Sequence, residues 1–154
     1  MDYNYGVSLD GTFFVIVIVI LGIFLAAYVI EAVAYQRGLR LCGYSKPWMA
    51  WIPFARQYAL ADAVGDADGN TTVLGFQIPS MVFNFWWVLQ IAANWIPSVG
   101  TVISLVIGVI CMGACFGKMY SAIEGKAEED TVAIGYVSGI FPIVAIVKFL
   151  AAKE

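Results

Sequence analysis

Histidine is absent from this sequence, and charge is scarce, with 12% of the 154 residues being Asp, Glu, Lys or Arg. Without histidine the chain lacks the commonest general base and the commonest zinc ligand. A soluble domain has roughly a quarter of its residues charged and about half of them apolar. Here 62% are hydrophobic, and the 8 basic and 11 acidic residues are too few to solvate the surface of a globule this size. A net charge of -3 gives no basic surface for nucleic acid. Three cysteines make no disulfide framework. Cys42 falls in a polar linker, and Cys111 and Cys115 lie one helical turn apart in an apolar run, where free cysteine acts as a small hydrophobe.

What the chain has in abundance is long apolar runs. The first, Thr12 to Tyr35, matches the ~20 apolar residues a bilayer-crossing helix needs. Its β-branched residues suit a strand in water, but in lipid only a helix satisfies its own backbone. The preceding residues carry Asp2 and Asp10 and no cation, unlike a signal peptide, so this run reads as a retained span. The next runs cover 79–96, 100–118 and 131–148, with a tight Pro97-Ser98-Val99-Gly100 turn between the second and third. The expected fold is all-α, a single membrane domain over 1–154 built as a four-helix bundle. The fourth run is short, and Pro142 interrupts it. Its alternative is a re-entrant hairpin around Phe141-Pro142.

Between the first two spans lies the longest polar stretch. Within it Trp48, Trp51, Phe54 and Tyr58 fall on one side of a helix, with Arg56 opposite. This predicts an interfacial helix over 47–62, its rings at the acyl boundary and its cation in water, started by Pro47 and kinked or split at Pro53. The alternative is that these rings pack on the other helices.

Charge predicts the orientation. Arg37, Arg40, Lys46 and Arg56 follow the first span, and Lys118 and Lys126 separate the third from the fourth. With four spans these six share one side, which the positive-inside rule makes cytoplasmic. Lys148 and Lys153 are the exceptions. The N-terminus is then outside, in the cell membrane of a multi-pass protein. A re-entrant fourth run would bring all eight cations inside.

Chemistry within the spans is sparse. Glu31 is the one charged residue inside an apolar run, and it either snorkels to the interface or pairs with Arg37 or Arg56. Asn84, Gln90 and Asn94 are the most polar part of any span. They line a small cavity or, as such amides more often do, bond a neighbouring helix. Ser104 and Ser138 have no lysine near them in sequence, so no Ser–Lys pair is expected, and their hydroxyls should bond the preceding turn. Gly113 with Gly117, and Gly135 with Gly139, form GxxxG spacings that let backbones meet within the chain, or between chains in a homo-oligomer or with a membrane-protein partner. Asp66, Asp68 and Asn70 suggest a calcium loop, but Thr71 and Gln77 stand where an EF-hand needs Gly and Glu, leaving a solvated turn. No catalytic residue, cofactor or metal is expected.

The segment 38–66 with Trp48, Ala50, Trp51, Ile52, Pro53 and Tyr58, the turn at Ile96-Pro97 and the terminal run broken by Pro142 together resemble a family of small bacterial membrane proteins. That family has no established activity and is occasionally labelled signal-peptidase-like. The resemblance covers about residues 30–150. Arg56-Gln57 departs from the small or amide residue the pattern leads one to expect. The resemblance implies architecture, not mechanism. The chain is therefore expected to be a non-enzymatic assembly or interaction component of the cytoplasmic membrane, in contact with the lipid bilayer. The alternative is a subunit of a small-molecule or ion transporter or channel.

Overall fold

A computed structural model describes residues 11–66 and 68–153. The acidic N-terminal segment, with Asp2 and Asp10, lies outside them. The first apolar run becomes a helix of 31 residues, α1 (Gly11–Leu41), about 46 Å long. Its two parts behave differently. None of residues 11–31 is buried, and Phe13, Ile18, Ile23, Phe24 and Leu25 are all more than half exposed. Burial starts at Ala32 and continues through Ala34, Tyr35, Gly38 and Leu39, spaced to give one helical face.

The chain then turns back along α1. A 3-10 helix (Pro47–Trp51) precedes α2 (Ala55–Asp62), with the break at Ile52-Pro53-Phe54. The residue before a proline resists the α conformation, and proline cannot donate to the preceding turn. Phe54 completes the bend in the left-handed region, at φ 66°. The interfacial helix expected over 47–62 is therefore two pieces, split where Pro53 stands. A feature not foreseen follows: strands β1 (Asn70–Val73) and β2 (Phe76–Pro79) form an antiparallel hairpin, with Thr72 opposite Gln77. Leu74 and Gly75 turn it, both with positive φ, as a two-residue primed turn requires.

The second apolar run is also interrupted. It forms α3 (Ser80–Phe83) and α4 (Trp86–Ala93). The third is continuous, α5 (Gly100–Glu124), closed by Gly125 in the left-handed conformation. Asn94 reaches Ser104 at 2.9 Å, and a Cβ on Gly100 would meet the Ala93 carbonyl, so α4 and α5 are antiparallel around the Pro97–Gly100 turn.

The fourth run is not a single span. It forms α6 (Glu128–Ile140) and α7 (Pro142–Ala151), broken at Phe141 because Pro142 cannot continue the helix. α6 leaves the C-terminal end of α5, and α7 returns to it. The Thr131 hydroxyl donates to the Gly117 carbonyl at 2.9 Å at the start of α6. At the end of α7, Lys148 pairs with Glu124 at 2.6 Å, and Arg37 donates to the Ala152 carbonyl at 2.8 Å. The run expected as one helix over 131–148 is therefore two helices that fold back at Phe141.

The core lies where these elements meet. Tyr35, Phe116, Tyr120 and Phe149 form a cluster with ring centroids 5.5–6.3 Å apart. Gly38 makes room for it, since a Cβ there would sit 2.8 Å from the Phe149 ring. Among the described residues two helices, α1 and α5, are long and apolar enough to cross a membrane by length and composition.

Candidate functional site: a polar cleft beside the first helix

Glu31 is the first charged side chain reached along α1. Its Oε2 accepts from Arg56 Nη1 at 2.8 Å, and both side chains are largely buried. Of the partners considered for Glu31, Arg56 is the one it takes. The guanidinium also lies 5.3 Å from the Tyr35 ring and 5.9 Å from that of Tyr28, so its charge is met by a carboxylate and two aromatic faces. The bend at Pro53 brings Arg56 there, returning α2 alongside α1.

The aromatic segment both packs and stays exposed. Trp51 Nε1 donates to Gln36 Oε1 at 2.8 Å, and its carbonyl accepts from the Tyr28 hydroxyl. Phe54 meets Trp87 with centroids 5.4 Å apart, and Tyr58 meets Phe85 at 5.6 Å. Trp48 and Phe54 remain 55% and 56% exposed, leaving free aromatic surface at this end of the molecule.

The three amides separate. Asn94 Nδ2 donates to Ser104 Oγ, and Asn84 Nδ2 donates to Asp62 Oδ1 at 2.9 Å, so both tie elements together. Gln90 instead lines a cleft of about 420 Å³ with Glu31, Tyr35, Gln57, Trp86, Phe116 and Pro142. Leu105 and Ile140 form part of its rim and are 62% and 55% exposed. Three buried polar atoms among the lining residues have no hydrogen-bond partner, namely the Tyr35 hydroxyl, Trp86 Nε1 and Gln57 Oε1. Trp86 is only 3% exposed.

Neither Trp86 nor Gln57 was singled out in the sequence. Trp86 sits in a Trp-rich apolar run, and Gln57 is an ordinary neighbour of Arg56, so the only local signal was a departure from the expected pattern at 56–57. Asp62 was also missed. It accepts from Tyr44 as well as Asn84, and burial together with Asp62 pushes the Tyr44 hydroxyl upward, keeping it a donor.

The four glycines are used within the chain. A Cβ on Gly135 would stand 2.5 Å from the Gly117 backbone, and one on Gly139 would stand 2.7 Å from the Val109 carbonyl. The paired GxxxG spacings make the α5–α6 contact. Ser138 donates to the Ile134 carbonyl, as the preceding-turn reading expects, and also meets the Tyr120 hydroxyl at 2.8 Å. Ser104 is taken up by Asn94 instead. Asp66 is held by Lys118 at 2.8 Å, a salt link in place of a metal ligand. Among the described residues no group of three or more Cys, Asp or Glu is placed to hold a metal ion.

No protein-family model, curated protein or solved structure matches this chain.

Proposed function

We propose that the chain is a multi-pass protein of the cytoplasmic membrane, N-terminus outside and C-terminus inside, acting as a non-enzymatic assembly component. The observation that carries this reading is the first part of α1. An apolar rod of about 20 residues, none buried by its own chain, would be untenable in water and matches a bilayer core of ~30 Å. The fold-back of α6 and α7 supports the orientation. It brings Lys148 and Lys153 to the end that holds Arg37 and Arg40 and removes the two exceptions to the positive-inside rule. Trp95, 84% exposed near the Pro97–Gly100 turn, and Trp48 at the cationic end suit the two interfacial belts.

Assembly is favoured over transport because two of the three amides bond between packed elements. The single observation on the other side is the cleft lined by Gln90 beside the Glu31–Arg56 pair, which keeps a transporter or channel subunit as the second reading. The likeness to small bacterial membrane proteins, through Trp48 to Tyr58 and Pro142, agrees with the architecture.

Topology is tested with Lys153→Cys in a chain whose native cysteines are replaced. An impermeant thiol reagent should label it only after the cytoplasmic face is opened, and labelling in intact cells would overturn the orientation. Cross-linking at native expression should then trap a higher-mass species. A strictly monomeric chain with no partner would sink the assembly role.

A further inference from the structure

The cleft is lined by the polar side chains of Glu31, Gln57 and Gln90 and by apolar and aromatic ones, of which Leu105 and Ile140 are exposed. Its ion pair is internally neutral, because Arg56 is committed to Glu31 at 2.8 Å, so nothing in it selects a free phosphate or another net charge. The lining residues carry three unpartnered polar atoms: a donor, Trp86 Nε1, an acceptor, Gln57 Oε1, and the Tyr35 hydroxyl. Val109, Leu105 and Ile140 line the cleft as well. Buried polar groups are normally paired, and an N–H left alone among apolar walls calls for an acceptor. A volume of about 420 Å³ holds far more than one bridging water.

We propose that this cleft binds a glycerolipid-type amphiphile. An ester carbonyl accepts from Trp86 Nε1, a hydroxyl of the polar region donates to Gln57 Oε1, and an acyl chain lies along Leu105, Val109 and Ile140. The inference rests on the membrane placement proposed above and adds a site to it.

The test reconstitutes the full chain in vesicles of phosphatidylglycerol and phosphatidylethanolamine. These contain a trace of phospholipid with a photoactivatable diazirine in its acyl chain, and the labelled residues are mapped by mass spectrometry. Label should concentrate on residues 105–112 and 139–142. It should fall there about fivefold or more both in Trp86→Phe with Gln57→Leu and in Leu105→Trp, while label on residues 11–30 stays unchanged. Leu105→Trp alters only the exposed rim, so it reports even if the double variant folds poorly. Label spread evenly over the apolar surface, or cleft label unchanged in Leu105→Trp, overturns the site. Absence of label on residues 11–30 overturns the membrane reading itself.

Discussion

Gly117 and Gly135 share one contact, yet a methyl group meets different surroundings at each. At Gly135 a Cβ would press on the Gly117 nitrogen and Cα at 2.5 Å, backbone that cannot rotate away, whereas at Gly117 the nearest atom is 3.4 Å distant. Gly135→Ala and Gly139→Ala should therefore each cost about 1–3 kcal/mol, with Gly117→Ala well below them. Denaturation in detergent, followed by helical signal, reads that order. The Glu31–Arg56 pair makes a second residue-scale prediction. Removing either partner strands a largely buried charge, so Arg56→Gln should cost roughly 3 kcal/mol. Adding Glu31→Gln should recover part of it, giving a coupling of about 1 kcal/mol or more in a double-mutant cycle. Additive losses would mean that the two side chains act independently.

At the scale of elements, α7 depends on one ring. Phe149 is fully buried, touching Tyr35, Phe116 and Tyr120 and lying over Gly38. Phe149→Ala should cost about 3–5 kcal/mol and release α7 first, because the helix is only 10 residues long and its break at Phe141 separates it from α6. Limited proteolysis should then cut near Pro142 while α5 stays protected. A uniform loss of protection would mean that α7 is not a separate unit. Prolines explain how much of this was legible. Pro142 and Pro53 both mark breaks visible in the sequence, but a break says only that the helix stops. That each chain segment folds back depends on what it meets beyond the break, Tyr35, Gly38 and Tyr120 in one case and Glu31 and Trp87 in the other. The β-hairpin was not legible, since Leu74 at φ 51° is a poor residue for a primed turn and Asp68-Gly69-Asn70 drew the turn signal to itself.

For the whole molecule, the ends of α1, α5 and α7 gather the cations on one side, which is what the labelling of a cysteine at position 153 reads. Cys42 is a poor reporter for the same purpose. Burial pushes its thiol up to about 11, and it donates to the Met119 carbonyl, so little thiolate exists at neutral pH. Its labelling in opened membranes should be slow at pH 7 and rise roughly tenfold per pH unit until pH nears 11. A fast, pH-independent reaction would mean that the linker around it is open.

Composition and run length alone determined that this chain is helical and rich in lipid-compatible surface, because scarce charge and apolar runs of about 20 residues leave few other ways to satisfy side chains and backbone. They also singled out Glu31, either to snorkel to the interface or to pair with Arg37 or Arg56. Only the tertiary structure decided that the partner is Arg56, that the glycines meet each other, and that the last run returns to the end it left. Each of these is a contact between residues distant in sequence, and a local pattern carries the need for such a contact without naming its other half.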